Sequence, residues 1–120
     1  MISAIIVDGN EIGKTEDAGT LSIKIKNMEY NPINYDGVII DGDLNFSEKH
    51  TIESRISFKN SIFNGYVDLR NIYFTEPVIF RNVTFKDNVD ISGAHFSKES
   101  EFSNCLFERN ITSKKIKGDS

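Results

Sequence analysis

One cysteine, two histidines and no long apolar run leave this 120-residue chain short of the side chains on which much protein chemistry depends. A single thiol, Cys105, excludes an internal disulfide. Neither His50 nor His95 is spaced with Cys, Asp or Glu as a metal site requires. Walker, dinucleotide and nucleophile-elbow patterns are missing. No stretch approaches the roughly 20 apolar residues that span a bilayer. The N-terminus has no basic leader ahead of its short apolar run, which Asp8 ends. No catalysis, no cofactor, no membrane contact and a cytoplasmic location are the expectations. Strong charge of one sign is lacking as well. The net charge is −4, and residues 56–110 carry seven acids against six bases, so they contribute only −1. Outside the Lys114, Lys115, Lys117 tail there is no basic stripe, so direct nucleic-acid binding is not expected.

What the chain does have is a ladder. Phe58, Phe63, Leu69, Phe74, Phe80, Phe85, Ile91, Phe96, Phe102 and Phe107 follow one another at steps of five and six, and they include eight of the nine phenylalanines. The two exceptions, Leu69 and Ile91, stand twenty-two apart, as do Phe58, Phe80 and Phe102, so the true period is twenty-two. Two places before each rung the residue is apolar or small, as with Ile56, Val78, Val83 and Val89. Asn60, Asn71, Asn82, Gly93 and Asn104 follow alternate rungs by two, and these types tolerate left-handed backbone or build side-chain turns. A chain that turns after every five or six residues, with positions i−2 and i inward and i−1 outward, makes a coil of four short sides. Stacked circuits would hydrogen-bond at the ~4.8 Å strand spacing and set like side chains on like. A helix fails on phase, because steps of five and six at ~100° per residue scatter the phenylalanines around its axis.

The blocks Val67-Asp68-Leu69-Arg70-Asn71 and Ala94-His95-Phe96-Ser97-Lys98, with a small apolar residue two before a central Leu or Phe, resemble the pentapeptide-repeat family. The resemblance covers about residues 56–109 and is nearest the Phe-rich subgroup with alternating five- and six-residue units. It departs from strict pentapeptides near Tyr66, Pro77, Asn88 and Glu99. It implies an all-β fold, a right-handed quadrilateral β-helix (a solenoid) with about 2.5 regular coils of 22 residues. The resemblance also implies a possible role, because the family includes DNA mimics that protect type II topoisomerases. Charge disfavours that alternative. A body of about 12 Å would have to match roughly seven duplex phosphates, which a net −1 does not do. A polysaccharide-cleaving β-helix enzyme needs a long groove of clustered carboxylates, for which so few circuits leave little room.

Residues 1–55 form an N-terminal β-rich capping segment with an irregular first coil, residues 56–110 the repeat, and residues 111–120 a disordered tail. Within the first part, Ile2 to Val7 is an apolar run, Gly9 to Gly19 a polar loop, and Leu21 to Lys26 alternates as a half-buried strand, which suggests a hairpin. Asn31-Pro32 signals a turn. Val38 to Ile40 with Leu44 and Phe46 would begin the first coil, yet Asp36 and Asp41 stand twenty-two before Phe58 and Phe63, so the ladder does not extend cleanly upstream.

The reading that remains is a non-catalytic structural or protein-interaction module. Its candidate surface is the column Ile62, Thr84 and Leu106, three outward positions one circuit apart where polar residues are expected. That column either meets an unidentified protein partner or seats the N-terminal segment, and an open coil end offers a route to a homo-oligomer. Cys105 reads as a buried small residue rather than a nucleophile. Tyr73 and His95 form a possible contact pair, and Asp68 with Asp90 form stacked carboxylates beside Arg70, read as a solvated face. Asn82-Val83-Thr84 and Asn110-Ile111-Thr112 match the glycosylation acceptor pattern, with little weight in the absence of a secretory signal.

Overall fold

The computed structural model describes residues 5–7, 10–12, 14–27, 32–46 and 49–114. The chain opens with β1 (Ile5–Val7), β2 (Asn10–Ile12), β3 (Thr15–Asp17) and α1 (Ala18–Asn27). A first circuit follows as β4 (Ile33–Asp36), β5 (Ile39–Asp41) and β6 (Thr51–Ile52), with a bridge at Leu44. The second circuit is β7 (Ile56–Lys59), β8 (Ile62–Phe63), β9 (Val67–Asp68) and β10 (Tyr73–Phe74). The third is β11 (Val78–Arg81), β12 (Thr84–Phe85), β13 (Val89–Asp90) and β14 (His95–Phe96). An incomplete fourth contains β15 (Glu101–Ser103), β16 (Leu106–Phe107) and β17 (Ile111–Thr112).

Each side of the coil is a parallel sheet. The first side runs β2-β4-β7-β11-β15, the second β3-β5-β8-β12-β16, the third β9-β13-β17 and the fourth β6-β10-β14. Among the described strands only β1, added to β2, is antiparallel. From the second circuit onward the register is the twenty-two-residue period, with Phe58 opposite Phe80 and Phe80 opposite Phe102. The corners follow the sequence closely. Asn60, Asn71, Asn82 and Asn104 have φ between 51° and 58°, and Gly93 has φ 71°. Side-chain amides at one corner also bond along the stack, Asn82 donating to Asn60 at 2.7 Å and Asn60 to Asp36 at 2.9 Å. At another corner Gly65 lies under the carbonyl of Gly42 and the carboxylate of Asp43, where an added Cβ would overlap main-chain atoms. Gly65→Ala is therefore expected to cost about 1 to 3 kcal/mol through overpacking, readable as a lower denaturant midpoint with an unchanged slope.

Inside, the rungs become ring stacks. Phe63, Phe85 and Phe107 lie at 5.2 and 5.1 Å with nearly parallel planes, and Phe80 and Phe102 at 5.0 Å. Phe74 and Phe96 stack at 5.0 Å on the opposite side. Offset stacking adds about 0.5 to 1.5 kcal/mol per pair beyond the apolar area that each ring removes from water.

The ladder does continue upstream, against the expectation from the sequence. Tyr35 sits opposite Phe58 and Ile40 opposite Phe63, each twenty-three residues away, whereas Ile52 sits twenty-two before Phe74. One extra residue between Leu44 and Thr51 thus shifts the first part of this circuit out of phase, so Asp36 and Asp41 are neighbours of the rungs and not the rungs themselves. Phe46, the phenylalanine left off the sequence ladder, is buried in the same core.

Three further expectations are corrected. Leu21 to Lys26 is helical, because Leu21 and Ile25 point one way together with Ala18 and Ser22, at positions i, i+3, i+4 and i+7. The third member of the apparent alternation, Ile23, is 57% exposed. Asp17 caps the helix by accepting the Thr20 N–H at 3.0 Å, and Lys24 and Lys26 in the last turn suit its dipole. The polar stretch from Gly9 to Gly19 contains β2 and β3, which are strands because the edges of β4 and β5 supply backbone partners. The hairpin therefore pairs Ile5 with Ile12 and does not involve residues 21–26. The coil also persists past residue 110. Ile111 and Thr112 pair with Val89 and Asp90, continuing the Val67–Val89 column. The remainder of the expected tail, residues 115–120, lies outside the described residues, as do Asn31 and the start of the apolar run at Ile2.

α1 seals the first circuit. The preceding strands β2 and β3 occupy the first two sides of the coil, and the helix that follows bonds to the first circuit beyond them. Ser22 Oγ donates to the Asn45 carbonyl at 2.6 Å, and Ser54 Oγ donates to the otherwise orphaned Ile25 carbonyl at 2.9 Å. Beneath the helix Glu16, beside Ile40 on the second side, is a buried carboxylate. Lys14 and Lys24 each reach its Oε1 at 2.8 Å, and the Tyr35 hydroxyl donates to Oε2 at 2.7 Å. Burial alone would raise the pKa of Glu16, but these three donors outweigh it and hold the group below its ordinary 4.5.

Candidate interaction surface

The outward positions of the second side form a continuous column. Ile39 stands opposite Ile62, Ile62 opposite Thr84, and Thr84 opposite Leu106. The pleat of a strand turns these residues outward because Ile40, Phe63, Phe85 and Phe107 beside them turn inward. Leu106 is 56% exposed and Ile39 37%, while Ile62 and Thr84 are half-buried by their neighbours. At the ~4.8 Å strand spacing the column is about 14 Å long. Thr15 extends the column beyond Ile39, and of the other four members the sequence reading named three. Ile39 was missed because the same one-residue shift places it twenty-three, not twenty-two, before Ile62.

The other polar candidates are spoken for within the fold. Asp68 and Asp90 are in register, but Arg70 takes both oxygens of Asp68 at 2.9 Å. Its guanidinium holds the Asp68 carboxyl below the ordinary value. Asp90 accepts the Ser92 N–H at 2.9 Å. Beside them, Tyr66 has its phenol pKa raised by burial and by the two carboxylates. Asp43, Lys49, His50, Tyr66, Asp68 and Arg70 border an open depression of about 470 Å³ in which both signs of charge alternate. Tyr73 and His95 do meet, stacked at 4.7 Å on the outer surface. The Cys105 thiol is half-buried, donates weakly to the Phe80 carbonyl at 3.4 Å, and has its pKa raised by burial, the opposite of an activated nucleophile. Among the described residues no group of three or more His, Cys, Asp or Glu side chains converges as a metal site would.

Residues 58–106 match the family model for Pentapeptide repeats (9 copies). This stretch is a pentapeptide-repeat β-helix. Its hand is therefore the right-handed one of the family, and its strand stacking is that of an all-β solenoid. Pentapeptide-repeat proteins are in general non-catalytic structural modules, in keeping with a ladder that places the aromatic residues in the core. The match begins at the first rung in regular register and leaves out the first circuit, whose extra residue breaks the period. No curated protein and no solved structure matches the chain.

Proposed function

We propose that this pentapeptide-repeat protein is a non-catalytic protein-interaction module and that the column Ile39, Ile62, Thr84 and Leu106 is its contact surface. One observation carries the reading: four outward positions in register, three of them large and apolar, on the side where a soluble strand normally places polar groups. Such a column accepts partner side chains repeating at about 5 Å, the spacing of stacked strands or of successive helical turns. The partner is a protein because the surface offers apolar contact without the excess of either charge that nucleic acid or its mimics require. A cytoplasmic setting belongs to the same proposal. Among the described residues no helix is long and apolar enough to cross a membrane.

The test is the double substitution Ile62→Glu with Leu106→Glu. Both side chains point away from the core, so the thermal melt is expected to stay within a few degrees of the parent. Capture of a partner from host extract, or self-association in sedimentation, is expected to fall at least about tenfold, as two desolvated carboxylates would require. Equal capture by the variant and the parent would remove the column as the contact surface, and unfolding would show that it packs internally.

A further inference from the structure

The first side of the coil carries a second feature, unrelated to the apolar column. Its outward positions run Asn34, Ser57, Ile79 and Glu101, one per circuit. Ser57 is the shortest of these, and longer neighbours rise around it, leaving a depression of about 330 Å³ lined by Pro32, Asn34, Arg55, Ser57, Lys59, Ile79 and Arg81. Although it faces outward, Ser57 retains only 9% of its surface.

The walls are cationic. Lys59 is exposed. Arg55 stands two residues before Ser57, on the other flank from Lys59. Arg81 lies beside Lys59 in register and makes two bonds to Glu101, at 2.9 and 3.0 Å. No acidic residue is among those lining the depression. Two acids stand one step in register from lining residues: Asp36, opposite Lys59, turns an oxygen to the Asn60 amide, and Glu101, opposite Ile79, is bonded to Arg81. A hydroxyl donor at the floor, amide, guanidinium and ammonium groups at the sides, and the apolar edges of Ile79 and Pro32 together describe a seat for an anion with several acceptor oxygens.

We propose that this depression binds a phosphate-type oxyanion, with Ser57 Oγ donating from the floor and the exposed Asn34 amide and Lys59 ammonium closing on it from the sides. The experiment is a titration of the full-length ¹⁵N-labelled chain at constant ionic strength, with inorganic phosphate in one arm and phenyl phosphate in the other. Saturable shifts centred on the Asn34, Ser57 and Lys59 amides are expected, and the tighter arm tells free phosphate from an organic monoester whose apolar part rests on Ile79 and Pro32. Ser57→Ala and Lys59→Gln each remove a donor to a charged ligand and are expected to weaken binding roughly tenfold. Lys86→Gln, which removes a cation outside the lining, is expected to leave it within twofold. The spectra of the variants report their folding directly. Shifts that rise linearly without saturating, or equal loss in all three variants, would overturn the site in favour of diffuse ionic contact.

Discussion

Phe85→Ala is expected to remove most of the stability of the coil. The ring is fully buried, stacked on Phe63 and Phe107 at 5.2 and 5.1 Å and met edge-on by Phe80 at 5.4 Å. Truncating such a side chain forfeits its transfer free energy and leaves a cavity that parallel backbone on every side holds open, a loss of about 3 to 5 kcal/mol. Against a total of roughly 5 to 15 kcal/mol for a domain, that is a large fraction. At this chain length it corresponds to roughly 10 to 25 °C in melting temperature. The comparison that isolates the stack is Phe107→Ala. Phe107 lies on the last circuit and is only partly buried, so its loss is expected to cost about half as much by the same cavity argument. Melts for Phe85→Ala within a degree or two of the parent would refute the inward stack.

Glu16→Ala is expected to detach the helical seal. The carboxylate receives two ammonium groups and a phenol in a site nearly closed to solvent, and removing it leaves Lys14 and Lys24 facing each other. Deleting one member of a buried ion cluster costs about 3 to 5 kcal/mol. Because both lysines keep about a fifth of their surface in water, at 18% and 21%, the lower end of that range applies. The pH dependence has a definite sign. Glu16 titrates lower in the folded chain than its ordinary 4.5, so the stability that it contributes is present above that value and is lost as pH falls through the lowered folded-state pKa. Urea titrations at pH 7 and at progressively lower pH are expected to show the gap between the parent and Glu16→Gln closing on the acid side. A gap that stays constant with pH would mean that the contribution of Glu16 is packing and not charge.

How much of this was legible follows from what a period can and cannot carry. The rungs, the four-sided circuit, the asparagine corners and three members of the outer column all rest on one repeat distance, which the sequence displays openly from Phe58 onward. The circuit from Ile33 to Ile52 contains the same elements, but one added residue hides them from any comparison at fixed spacing. Tyr35 in place of Phe conceals it further. Leu21 to Lys26 satisfies both a two-residue and a helical period, and six residues are too few to separate them. Asp17 as a cap and Ala18 one turn before Leu21 held the answer. Glu16 gave no signal, since an acid in a polar stretch announces burial only once Tyr35, Lys14 and Lys24 are seen around it. The recess at Ser57 was equally silent, because it is made by the length of its neighbours and not by any motif.

The two ends of the coil are built on different terms. At the start, a helix lies across the first circuit and Leu21, Ile25 and Phe46 are closed off. At the other end of the described coil, Phe96, Phe102 and Phe107 are only partly covered, and among the described residues β15, β16 and β17 are paired on one edge alone. Any further stretch of twenty-two residues in the same pattern would find its register, its ring partners and its backbone acceptors already laid out there. The architecture prescribes where the winding begins and sets no length for it, so a relative could gain or shed a whole turn by duplication or deletion without disturbing a single contact below.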